Sequence, residues 1–220
     1  MQMPKNREFV IGIFIYDGVT MLDVAGPYQV LKEIPNAKVM FITPKVGVIR
    51  DSGNMPCFHA EYDLSMRDKM DLLLIPGGLK STLEISENAN VLEWIRYQDQ
   101  FSIITASVCT GAWILAAAGL LNGRNAVTHW YGREILSKWG VNVKESRWIN
   151  DGKYYSSAGV SAGIDMSLAI VGELIGREFA QSIMLDLEYA PEPPYDGGTP
   201  DKYPQNVIDD IRKLYDSVMK

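Results

Sequence analysis

Ser102-Ile-Ile-Thr-Ala-Ser-Val-Cys-Thr-Gly-Ala-Trp-Ile-Leu-Ala-Ala-Ala-Gly119 decides the fold. An apolar, β-type run reaches Cys109, a glycine follows two residues later, and a helix-type run rich in alanine comes next. That order is a strand-to-helix turn with a thiol at its tip, a nucleophile elbow, which lifts a reactive atom above a sheet with a helix N-terminus beneath it. Unpaired amide N–H groups at such a terminus favour negative charge, and so thiolate over thiol. The expected thiol faces solvent and contributes little packing. A buried cysteine closing a core strand is the competing reading, since free cysteine is among the most buried residue types.

The flanking chain alternates strand-like and helix-like segments. Phe9 to Tyr16 is a continuous apolar run, as expected of a parallel strand covered on both faces. Lys38 to Thr43 and Asp71 to Ile75 repeat the pattern, and Ile49 to Tyr62 reads as a small hairpin. Helices are expected over 21–31, with Pro27 in a first turn, and over 90–98, 110–121, 131–139, 163–175 and 177–189. Asn125 to Thr128 reads as a short strand. Val141 to Ser146 and Lys153 to Ser157 read as paired β segments around the Asp151-Gly152 turn. The Pro-rich segment 190–204 carries four prolines and two glycines between Ala190 and Pro200, which excludes regular structure and predicts a surface path. Val207, Ile208, Ile211, Leu214, Tyr215 and Val218 recur at helical spacing and predict a C-terminal amphipathic helix over 206–219.

This alternation implies a single α/β domain across residues 1–220, a three-layer sandwich around a mainly parallel sheet. In such sheets ligands sit beyond the carboxyl ends of the strands. Three segments fall there: Asp17 to Asp23, Gly77-Gly78 and Cys109.

Composition narrows the function. The 220 residues are 47% hydrophobic and 22% charged, with a net charge of −6 and both signs interspersed, so no basic stripe marks a nucleic-acid partner. The apolar runs are too short to span a membrane. No apolar segment follows the basic residues of the N-terminus, so a cytoplasmic protein with reduced cysteines is expected. With two histidines, His59 and His129, and no Cys-x-x-Cys spacing, a multi-histidine or cysteine metal site is excluded and no structural or catalytic zinc is expected.

Pro76-Gly77-Gly78 lets backbone amides approach a ligand with no side chain in the way. With the amides of Cys109 and Thr110 they are candidates for an oxyanion-type hole, the alternative being a tight turn. Asp23 begins the first helix among apolar neighbours. It is either an N-cap or a buried carboxyl beside the thiol, pushed towards its protonated form. Trp113, Trp130 and Tyr131 are candidates for a pocket lining or for core packing. His129 reads as a structural or pocket-wall residue before a base, His59 as structural or exposed, and Cys57 as a small apolar filler.

Taken in order, these residues resemble the DJ-1/PfpI (ThiJ) superfamily, and within it the isonitrile hydratase group. The resemblance rests on Asp17-Gly-Val-Thr-Met-Leu-Asp-Val-Ala-Gly-Pro27, Ile75-Pro-Gly-Gly78 and Ser107-Val-Cys-Thr-Gly111. It continues through Ala116-Ala-Ala-Gly-Leu-Leu121, Thr128-His-Trp130, Ser161-Ala-Gly-Ile-Asp165 and Leu187-Glu-Tyr-Ala-Pro-Glu-Pro-Pro194. It implies a flavodoxin-like, class I glutamine-amidotransferase-like fold, a homodimer and no cofactor. It also implies roles: Cys109 as nucleophile, Asp23 as the acid, Thr110 after the cysteine, and Gly78 in the oxyanion-type pocket. Gly77, His129 and Trp130 complete the expected substrate site, and the implied partner is a small apolar isonitrile. The implied reaction is thiolate attack on the isonitrile carbon, a proton from Asp23 to substrate nitrogen or carbon, a covalent thioimidate, and release of an N-substituted formamide by water.

Thr110 stands where peptidase-type relatives carry histidine, so the local Cys-His pair for acyl transfer is missing. Three other readings stay open: a redox-responsive protein whose thiol meets peroxide, a sensor domain, and a glyoxalase- or amidase-like hydrolase.

Overall fold

The computed structural model describes residues 3–4 and 6–219. Among these the chain runs β1 (Phe9–Phe14), α1 (Met21–Leu31), β2 (Ala37–Ile42), β3 (Gly47–Arg50), β4 (Pro56–Ala60), β5 (Leu72–Ile75), α2 (Lys80–Ser86), α3 (Ala89–Asp99) and β6 (Ile104–Val108). It continues with α4 (Gly111–Ala117), β7 (Asn125–Ala126), α5 (Arg133–Ser137), β8 (Asn142–Val143), β9 (Trp148–Asp151), β10 (Tyr154–Ser157), α6 (Ala162–Leu174), α7 (Arg177–Asp186) and α8 (Gln205–Met219).

The main sheet has the order β2-β1-β5-β6-β10-β9, parallel throughout except for the antiparallel edge strand β9. Leu72, Leu73, Leu74 and Ile75 are all fully buried, which is why β5 reads as an unbroken apolar run: helices cover both of its faces. α1, α6 and α7 form one layer, and α2, α3 and α4 the other. α1 and α6 approach closely because Gly26 faces Ile164, and Gly163 faces Pro27 and Val108. The chain reverses direction across the sheet between β1 and β5, so their carboxyl ends open a crevice, and β6 delivers Cys109 to its rim.

Four expectations need correction. The strand expected to pair with β10 was Val141 to Ser146; instead Trp148–Asp151 pairs with it. The two-residue turn sets that register: Asp151 lies directly opposite Tyr154, with Gly152 at φ 64. Asn142–Val143 pairs with β7 instead. The helix expected over 131–139 begins as a 3-10 turn, Trp130–Gly132, before α5. Helix α2 was not anticipated, because Thr82 and Ile85 are β-branched and no polar N-cap precedes it; Leu79 holds that position at φ 51. Pro27 lies in the second turn of α1, not the first, where it packs on α6.

Candidate functional site

β6 ends at Val108, and Cys109 then adopts φ 57, the left-handed region that costs a residue with a side chain about 1–3 kcal/mol. Two bonds hold the strained peptide. The Cys109 N–H donates to Ser157 O at 3.0 Å, and the Thr128 hydroxyl donates to Cys109 O at 2.8 Å. α4 can start immediately beyond because a Cβ on Gly111 would lie 2.0 Å from Ile75 O. The elbow is therefore present, but its thiol is 3% exposed rather than solvent-facing.

Asp23 lies fully buried beside it. It is not an N-cap: Thr20 takes that position, and the Asp23 carboxylate Oδ2 instead accepts the Gly77 N–H at 2.9 Å. Oδ1 finds no hydrogen-bond partner by geometry among the described residues, and Cys109 is the side chain that acts on it. Burial disfavours the charged carboxylate more than the Gly77 N–H favours it, so the Asp23 carboxyl is held well above the usual carboxylate range. Burial, together with the neighbouring Asp23, also pushes the Cys109 thiol well above its ordinary value, and the Thr110 N–H that favours thiolate does not compensate. The expected thiolate is thus disfavoured, because burial raises both the Cys109 thiol and the Asp23 carboxyl beside it.

The amides of the Pro-Gly-Gly turn are already committed. The Gly78 N–H donates to Thr82 Oγ1 at 2.7 Å and Thr110 Oγ1 at 3.1 Å, and the Leu79 N–H reaches Thr110 Oγ1 at 3.3 Å. With two amides donating to it, Thr110 Oγ1 must give its own proton to Thr82 Oγ1, 2.9 Å away. Thr82 then donates to Tyr16 Oη at 3.1 Å, and Tyr16 donates to Pro76 O at 3.0 Å. The anticipated oxyanion hole is closed at Gly77, Gly78 and Cys109, because each N–H already has an acceptor. Thr110 positions the turn against the elbow. Thr82 and Tyr16, which complete this row, were missed from sequence. A tyrosine, with the only side-chain hydroxyl in the apolar run from Phe9 to Tyr16, was the available signal.

The outer wall is aromatic. His129 is 9% exposed, and burial lowers its pKa to about 4, with Arg133 adding to the shift, so the ring is neutral. Its centroid lies 5.6 Å from that of Tyr215, which also meets Trp130 at 6.0 Å and Tyr131 at 4.9 Å. His129 therefore stands in the wall with Trp130 and Tyr131, whereas Trp113 is fully buried in the core against Gly132. His59 is exposed and Cys57 half-buried, both on the β3–β4 hairpin. No group of three or more His, Cys, Asp or Glu residues among the described residues is arranged to hold a metal ion.

Gly77 leaves no room for a side chain between the acid and the elbow. An added Cβ would lie 2.5 Å from Thr110 Oγ1, 2.7 Å from Thr110 N and 3.0 Å from Asp23 Oδ2. Gly77→Ala is expected to displace the acid from the thiol and lower turnover by about 10²-fold, the effect of roughly an ångström of misplacement. Its overpacking should cost about 1–3 kcal/mol in urea unfolding. Wild-type kcat/KM in this variant would show that the turn tolerates a side chain.

Residues 10–173 match the DJ-1/PfpI family. Over 92% of its length the chain is 35% identical to the isonitrile hydratase of Pseudomonas putida, covering 88% of that protein. The Parkinson disease protein 7 homolog of Danio rerio is 29% identical over 57% of this chain and 67% of its own. A crystal structure of a ThiJ/PfpI family protein from Pseudomonas syringae superposes with a TM-score of 0.91 at 28% identity, over 96% of this chain and 87% of that one.

Proposed function

This chain belongs to the DJ-1/PfpI family, and from that premise we propose that it hydrates a small isonitrile to an N-substituted formamide through a thioimidate on Cys109. The observation that carries the reading is a buried thiol next to a buried carboxyl whose hold on its proton burial strengthens, with threonine rather than histidine following the cysteine. The likeness to the Pseudomonas putida isonitrile hydratase supports the substrate class.

An isonitrile R–N≡C takes up a proton and a nucleophile at the same terminal carbon. Asp23 gives its proton to that carbon as the Cys109 sulfur bonds to it, and the thiol proton passes to the Asp23 carboxylate. The adduct is Cys109 Sγ–CH=N–R, with Asp23 again an acid: one S–C and one C–H bond form and one S–H bond breaks. Water then adds to the C=N carbon, the nitrogen takes a proton from Asp23, and the C–S bond breaks. The sulfur leaves with a proton, and a proton from the added water restores Asp23. The product O=CH–NH–R contains the isonitrile plus one water. The formyl hydrogen must reach carbon, so the first proton goes to carbon and the second to nitrogen. Neither step calls for a histidine base.

Thr110 and Gly77 are positioning residues, the first fixing the turn and the second orienting Asp23. A thiol kept neutral and buried weighs against a redox role, since oxidation needs an accessible thiolate. The test is wild-type enzyme with cyclohexyl isocyanide, following N-cyclohexylformamide by chromatography. Steady formation above the buffer rate is expected. No formamide from a panel of alkyl and aryl isonitriles, with Cys109 reduced by mass spectrometry, would sink the reading.

A further inference from the structure

The matched family region ends at residue 173, yet the chain continues to a last helix that lies over the site. α8 has no buried residue, and Ile211, Leu214 and Val218 on its apolar stripe are 37%, 62% and 49% exposed. It is nonetheless docked. The Tyr131 hydroxyl donates to Asp216 Oδ1 at 2.7 Å, the Arg212 guanidinium lies 5.2 Å above the Trp130 ring, and Tyr215 sits in the aromatic wall with His129. A cavity of about 490 Å³ remains beneath one face of α8, bounded by Leu214, Tyr215 and Val218 above and by Gly18, Gly78 and Leu79 below. Its floor is the turn whose amides Thr110 holds, one residue from Cys109. Tyr215 borders both spaces: it lines the cavity, and its ring meets His129 edge-on in the wall, 5.6 Å between centroids.

We propose that α8 supplies the specificity wall of this enzyme, with Leu214, Tyr215 and Val218 receiving the apolar N-substituent of the substrate in the cavity above Gly78 and Leu79. The inference rests on the isonitrile reading for its chemistry, although the wall acts on any electrophile that must reach Cys109. An isocyano group is linear and ends in a single atom, so it extends to a buried sulfur while its bulky substituent stays in the cavity. The shared family region then carries the reacting groups, and a segment outside it sets the size of what they act on.

Leu214 is the residue to vary, because it is well exposed and neither Leu214→Trp nor Leu214→Ala disturbs a packed core. Full-length wild type and both variants are treated with N-methylmaleimide and N-cyclohexylmaleimide. Alkylation of Cys109 is read at its own tryptic peptide, so Cys57 does not interfere. Leu214→Trp should slow the cyclohexyl reagent relative to the methyl one by on the order of tenfold, and Leu214→Ala should move the ratio the other way. The ratio of kcat/KM for cyclohexyl against methyl isocyanide should shift in the same sense. Alkylation ratios identical in all three proteins would overturn the wall. Shifted ratios with no isonitrile turnover in any protein would uphold the wall and remove the isonitrile reading alone.

Discussion

Cys109→Ala is expected to lower isonitrile turnover by roughly 10⁴-fold or more, since a nucleophile and the groups that act with it fail as a unit when one is removed. The same variant should fold. Alanine accepts the φ of 57 on the same terms as cysteine, and the bonds from Cys109 N to Ser157 and from Thr128 to Cys109 O belong to the backbone and survive. Because the sulfur is buried, its loss leaves a small void costing about 1 kcal/mol, rather than the negligible effect of trimming an exposed thiol. Formamide release is read by chromatography and stability by urea unfolding of the same preparation. Retained turnover in a folded variant would remove Cys109 from the chemistry.

Asp23→Asn should cost about 10²–10⁴-fold in kcat, the usual contribution of a positioned proton donor. The amide oxygen of asparagine can still accept the Gly77 N–H, so the loss isolates the proton rather than the geometry. Stability supplies a second, independent readout. The folded-state pKa of Asp23 is raised, so its favourable contribution is complete below the ordinary aspartate value and is lost as pH rises towards the raised one. Asparagine has no such proton to lose. The variant should therefore gain on wild type in urea unfolding as pH rises above about 4, by about 1.4 kcal/mol for every tenfold by which folding weakens Asp23 as an acid. A constant difference across that range would mean the carboxyl titrates normally and is no acid reservoir.

Much of this was legible before any coordinates. The runs at Phe9 and Asp71 are apolar without interruption, and only strands covered on both faces tolerate that. The cysteine between a strand-like and a helix-like run announced the elbow, and topology put the segment from Asp17 to Asp23 at the same end of the sheet, with Asp23 still open between a helix cap and a buried acid. What was not legible depended on contacts between distant segments. The aromatic wall is completed by α8, whose Tyr215 meets His129 and whose Asp216 binds Tyr131 85 residues back along the chain. The closed amides depend on Thr82, in a short helix with no end signal, and on Tyr16, whose hydroxyl is indistinguishable in sequence from any core tyrosine's. The register of β10 came from turn length, where apolar patterning alone pointed to the wrong partner.

Two consecutive peptide groups at Pro76-Gly77-Gly78 are pinned at both poles. The first has its carbonyl on Tyr16 and its N–H on Asp23; the second has its carbonyl on the Thr20 N–H and its N–H on Thr82 and Thr110. Glycine pairs ordinarily permit a peptide plane to rotate, but rotating either plane here breaks bonds on both sides at once, each worth about 1 kcal/mol. The turn is consequently a fixed fitting between three strand ends and not a hinge. Any motion that admits a ligand to the sulfur must come from elsewhere in the chain.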